Sequence, residues 1–115
     1  MELMQTPFVN DPFALCWRAF KNLYSDKECV CAWDPQIEIE TENGTAYGYT
    51  TFCDDGKVVV GVGVGLAVSD TVEILAHELA HVAAGEANEH NEVWEAAFDA
   101  INKEYDRLVE ELNGE

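Results

Sequence analysis

Apolar residues recur along this chain with two different periods, and the switches between them predict one helix, a sheet and two further helices. Phe13, Cys16, Trp17, Phe20, Leu23 and Tyr24 follow helical spacing behind Pro12. Proline suits a first helical turn, where the N–H it lacks would have had no partner. The segment reads as an N-terminal amphipathic helix with an aromatic core face, ended by Ser25-Asp26-Lys27-Glu28. Three extended stretches follow. Ile37–Thr41 alternates apolar with acidic, Ala46–Phe52 holds Tyr47, Tyr49, Thr50, Thr51 and Phe52, and Lys57–Leu66 is rich in valine. Glu42-Asn43-Gly44 and Asp54-Asp55-Gly56 are turn signals between them. A three-stranded antiparallel meander is expected.

In the third stretch Val58, Val60, Val62 and Val64 share one face, while Gly61, Gly63 and Gly65 share the other. Interior glycines weaken a strand, so they mark close approach of a ligand, of other backbone, or of a tightly packed helix. The period then changes. Val72, Leu75, Ala76, Leu79, Ala80 and Ala83 repeat at helical spacing, between a capping-box-like Asp70-Thr71-Val72-Glu73 and a helix-ending Gly85. They predict a largely apolar helix of about fifteen residues. His90, Trp94, Ala97, Phe98, Ile101, Tyr105, Leu108 and Leu112 then lie on one face of a C-terminal helix, which must pack on something apolar. The motif helix is the obvious partner. With 48% hydrophobic residues in 115, residues 1–115 read as a single α+β domain with one core.

The apolar helix carries His77-Glu78-Leu79-Ala80-His81, an H-E-x-x-H. Side chains four apart stack on one helix face, so two imidazoles can reach one metal ion while the intervening carboxylate stays off it. The metal expected is Zn2+, which lowers the pKa of a water towards roughly 7, and Glu78 is placed to take the proton as general base. A catalytic zinc takes three protein ligands. The remaining histidine among three is His90, and Glu86 and Glu89 are rivals for the third place.

His77-Glu78-x-x-His81, a short glycine-containing loop, and His90-Asn91-Glu92-Val93-Trp94 together resemble the core of SprT-like zinc metallopeptidases and related small phage metallopeptidases. The resemblance covers roughly residues 58–101. It implies a zincin-like α+β fold: N-terminal helix, small antiparallel sheet, active-site helix, and a helix carrying the third ligand. It also implies that His77, His81 and His90 bind the metal and that Glu78 is catalytic. By the same resemblance an edge strand near the third stretch would pair with an extended peptide substrate. The chain departs from the pattern at Asn91, where a glycine is usual, and no stretch of residues 1–115 reads as the zinc-ribbon or DNA-binding tail of larger members. Tyr47, Tyr49 and Tyr105 are candidates for steadying a developing oxyanion.

Charge narrows the partners. There are 23 acidic and 6 basic side chains, a formal net charge of −17. Phosphate backbones attract lysine and arginine, and here Arg18, Lys21, Lys27, Lys57, Lys103 and Arg107 are scattered, so nucleic acid is not an expected partner. A basic or neutral peptide is. No apolar run approaches the length of about 20 residues that spans a bilayer, and the acidic start lacks the basic segment of a secretory signal, so a cytoplasmic protein is expected. Cys16, Cys29, Cys31 and Cys53 include a C-x-C rather than the paired C-x-x-C of a zinc ribbon, and read as free thiols. The rival to a peptidase is an acidic binding or regulatory protein that keeps this fold around a structural zinc. A closed, four-ligand site would favour that rival.

Overall fold

The computed structural model describes residues 11–34, 39–41, 44–63 and 67–113. Helix α1 (Pro12–Leu23) starts where the sequence indicates. Asp11 caps it, its Oδ1 accepting from the N–H groups of Phe13 at 2.8 Å and Ala14 at 3.1 Å, which satisfies two donors that a helix start leaves unpaired. Leu15, Cys16, Ala19 and Phe20 are its buried face. Trp17 and Tyr24 pack at the margin, and Leu23, expected in the core, is largely exposed.

The strands depart from the meander. A strand that the sequence reading does not contain, β1 (Val30–Asp34), pairs in parallel with β5 (Val58–Gly63), and β4 (Gly48–Phe52) pairs antiparallel with the other side of β5. The result is a mixed sheet in the order β1-β5-β4. The stretch expected as the first strand of the meander contributes β2 (Ile39–Thr41), which pairs only with β3 (Gly44–Ala46) in a separate two-stranded ribbon. Ala46–Phe52 is therefore two strands, broken at Tyr47. Residues 37–38, 42–43 and 64–66 of the expected strands and turn lie outside the described residues.

The valine–glycine strand is central, not at an edge. Val60 and Val62 are buried beneath it against α2, the helix of Val68–Ala84. On the opposite face a Cβ at Gly61 would run into the ring of Tyr49, its antiparallel partner. The close approach signalled by that glycine is thus an aromatic side chain of the neighbouring strand. Both sides of β5 carry ladders, so β5 has no free edge to offer a substrate. The sheet edge beside α2 belongs to β4.

Helix α2 starts earlier than the capping-box reading places it. Its N-cap is Ala67, which makes no side-chain cap bond, and Asp70 falls in the first turn, where a carboxylate complements the helix dipole. Thr71 turns its hydroxyl back to the Ala67 carbonyl at 3.0 Å. Gly85 ends the helix with φ 93°, as its sequence position indicates. Helix α3 (Glu92–Asn113) buries Ala97, Ile101 and Leu108. It packs on both α1 and α2, so α2 lies between the sheet and the other two helices. Leu79 of α2 is fully buried at the centre of that stack, beside the charged motif. Complete burial of such a side chain contributes about 1.5–3 kcal/mol, which fixes the rotation of α2 about its axis and hence where its histidines point. No helix among the described residues is long and apolar enough to cross a membrane.

Candidate metal centre

His77 and His81 lie one turn apart on α2, with ring centroids 5.0 Å apart. The third imidazole comes from outside any helix. His90 precedes α3 by two residues and has φ 53°. A non-glycine residue in that left-handed region costs about 1–2 kcal/mol, so the surrounding loop has to hold it there. The Gly85 N–H donates to the His81 carbonyl at 2.9 Å, and the Asn88 N–H donates to the Gly85 carbonyl at 3.1 Å. Asn88 Nδ2 donates to the Ala84 carbonyl at 2.9 Å, and Asn91 Nδ2 donates to Asn88 Oδ1 at 2.9 Å. Asn91 Oδ1 then caps α3 by accepting from Val93 N–H and Trp94 N–H. His90 is gripped between a helix end and a helix start. Its expected place on the apolar face of α3 is corrected accordingly.

The loop brings His90 Nε2 to 3.2 Å from both His77 Nε2 and His81 Nε2. Two ligand nitrogens on a tetrahedral zinc, each about 2.0–2.1 Å from it, are roughly 3.3 Å apart. The spacing therefore fits one metal ion. Among the described residues, His77, His81 and His90 are the one such group of three or more ligand side chains. Glu86 and Glu89, the rivals for the third place, line the same cavity but do not join that group, and the four cysteines form no such cluster.

Trp94 backs all three rings, with centroids 4.7 Å from His77, 5.5 Å from His81 and 4.8 Å from His90. Its Nε1 donates to the His77 carbonyl at 3.3 Å, and it stacks on Phe98 at 5.1 Å. In the sequence Trp94 is a core-face residue and the aromatic that closes the His90-Asn91-Glu92-Val93-Trp94 stretch, with no role assigned at the metal. Burial, and after it the proximity of His81 and His90, holds His77 down at about 4. Burial and then His90 likewise lower His81. Both rings are neutral near pH 7, the form in which a histidine can ligate a metal.

Glu78 is buried, 7% exposed. Thr50 of β4 donates its hydroxyl to Glu78 Oε1 at 2.6 Å. Burial pushes the Glu78 carboxyl above the ordinary glutamate value, and the Thr50 hydrogen bond acts the other way. A cavity of about 520 Å³ opens over these groups, lined by Gly48, Thr50 and Phe52 of β4, by Glu78 and the three histidines, and by Glu86 and Glu89. Tyr47, Tyr49 and Tyr105 do not line it, so none of the three tyrosines proposed to steady an oxyanion is at the site. A second cavity, about 250 Å³, lies between Trp17, Cys29, Cys31, Trp33 and Leu75 and contains none of the histidines.

No family model, curated protein or solved structure matches this chain. The case for its function therefore rests on the site.

Proposed function

We propose that this protein is a zinc-dependent peptidase with a zincin-like fold, of the SprT-like sort that its motif resembles. The observation that carries the reading is the meeting of His90 Nε2 with the two H-E-x-x-H imidazoles at 3.2 Å, beside a buried carboxylate on the same helix. His77, His81 and His90 would hold the ion. When bound, zinc would supply Lewis acidity, acidifying a water and polarising a carbonyl oxygen. Glu78 accepts the proton of the attacking water and returns it to the leaving amine nitrogen. Burial suits it to that exchange, because a carboxylate with a raised pKa is the stronger base. Three ligands, one of them the exposed His90, fit an open catalytic site better than the closed one of a structural zinc. That favours the enzyme over a binding protein.

The substrate proposed is a peptide segment of basic or neutral character. No lysine or arginine lines the cavity, whereas Glu86 and Glu89 do. Nucleic acid is not a proposed partner. Three of the six basic residues are tied to carboxylates, in the pairs Lys21–Glu28, Lys103–Asp99 and Arg107–Glu104.

Glu78→Gln tests the reading. The substitution is nearly isosteric, so zinc content and fold should match the native protein while peptide hydrolysis falls by about 10²–10⁴-fold. Equal cleavage by the two proteins, or none by the zinc-loaded native protein against a broad peptide library, would refute it.

A further inference from the structure

Strand β4 presents a built surface to α2. Gly48 and Thr50 lie two apart, so both face the helix, alongside their partners Val62 and Val60. Thr50 Oγ1 lies 2.6 Å from Glu78 Oε1 and 3.2 Å from the Glu78 main-chain oxygen. The hydroxyl therefore lies close to both the root and the tip of the Glu78 side chain. A hydroxyl has one proton, and the nearer, carboxylate oxygen takes it; 2.6 Å is the length of a charge-assisted O–H···O⁻ bond. The other carboxylate oxygen rests against Gly48. A Cβ there would lie 3.0 Å from Glu78 Oε2, 3.2 Å from Glu78 Cγ and 2.6 Å from Ile74 Cγ2. Ile74 Cγ2 sits on a β-branched carbon with little rotational freedom, so a methyl group at position 48 has to displace Ile74 or the strand, and it also presses on the carboxylate.

We infer that Gly48 and Thr50 are positioning residues for Glu78: Thr50 anchors one carboxylate oxygen by a hydrogen bond, and the bare Cα of Gly48 leaves the space that the other occupies. The base role of Glu78 rests on the function proposed above; the seat itself does not. The arrangement also explains the residue types on this strand. Threonine combines a strand-forming branched carbon with the donor, and glycine leaves both Ile74 and the carboxylate uncrowded. A serine at 50 would keep the donor, whereas a valine would keep the shape and lose it.

The test has two arms. In the metal-free protein, Thr50→Val, Glu78→Leu and the double variant form a cycle read by chemical unfolding; leucine, unlike glutamine, offers the Thr50 hydroxyl no oxygen. A hydrogen bond to a charged group should appear as a coupling of about tenfold or more in the unfolding equilibrium constant. Effects that multiply to within about twofold would overturn the seat, whatever the protein catalyses. In the zinc-loaded protein, Thr50→Val should lower kcat by roughly 10–100-fold with KM and zinc content unchanged, because a misplaced base is lost from the transition state alone. Thr50→Ser should restore most of kcat, and Gly48→Ala should lower it with Thr50 in place. A fall in zinc content parallel to the fall in activity, failure of serine to rescue, or a fully active Gly48→Ala protein would overturn the positioning role. If the native protein has no peptidase activity, the function proposed above fails while the unfolding cycle still decides whether the seat exists.

Discussion

His90→Gly should leave the metal-free protein about as stable as the native one while removing most of its response to zinc. Histidine at φ 53° carries about 1–2 kcal/mol of left-handed strain, which glycine relieves. Glycine gives back about 0.5–1 kcal/mol through its greater freedom in the unfolded chain. His90 is exposed, so little burial is lost, and the net change should stay within about 1.5 kcal/mol. Zinc binding behaves differently. Four-ligand structural sites bind with about 10–16 kcal/mol, roughly 2.5–4 kcal/mol per ligand, so loss of one imidazole should raise the zinc Kd by about a hundredfold or more. With free zinc at about a hundred times the native Kd, binding stabilises the native protein by about 2.7 kcal/mol and the variant by only about 0.4 kcal/mol. For a domain of this size the difference amounts to roughly 8 °C in Tm. Thermal unfolding with zinc and with excess chelator measures both quantities. An unchanged zinc-induced shift would remove His90 from the ligand set. A metal-free variant weaker by more than about 2 kcal/mol would refute the account of the loop.

Three further outcomes follow from the same structure. Asn91→Ala removes the cap of α3 and the bond to Asn88, so it should cost about 0.5–2 kcal/mol in unfolding free energy and weaken zinc binding too; unchanged stability would refute the capping role. Burial pushes the Cys16 thiol up to about 12, which leaves a thiolate fraction of about 10⁻⁴ at pH 8. The Cys29 thiol hydrogen-bonds to Cys31 and lowers it, so mass-spectrometric mapping of alkylation should find Cys31 modified well before Cys16, and the reverse order would contradict the burial. With a net charge of −17 and Lys103 and Arg107 of α3 already paired, no DNA binding is expected at physiological salt, and a salt-sensitive mobility shift would refute that expectation.

How much of the fold the sequence displayed depended on whether a signal was local. The three helices could be read because each carries its own periodicity and its own stops, Pro12 and Gly85 among them. Of the mixed sheet only the β4–β5 hairpin could, from the Asp54-Asp55-Gly56 turn between its strands. Val30–Asp34 is a short segment with little alternation, and it becomes a strand only because β5, distant in sequence, supplies a parallel partner along its whole length. Turn chemistry pointed to neighbours in sequence: Ile39 and Ala46 do pair across the turn, but in a separate ribbon rather than as the first strand of a meander. The start of α2 was missed for a related reason. Asp70 looks like a cap, but the Thr71 N–H and hydroxyl both bond the Ala67 carbonyl, and the helix runs back past Asp70 to Val68, where no side chain caps the end.

The site divides along the same line. H-E-x-x-H is contained within one helix, so spacing alone placed His77, Glu78 and His81 in relation to one another. His90 could be named but not positioned, because its approach is set by a left-handed residue and by the side chains of Asn88 and Asn91 rather than by any period. The asparagine at 91, where the resembling family keeps a glycine, illustrates the point. Here its side chain bonds both Asn88 and the first turn of α3, and the left-handed conformation falls on His90 itself. The conformational cost sits on the ligand, and the polar clasp around it keeps the imidazole aimed at its partners. Thr50 and Gly48 were beyond reach for a further reason. Nothing in a strand's own pattern tells which carboxylate a neighbouring helix will lay against it, so the parts that orient Glu78 emerge only once β4 and α2 are packed together.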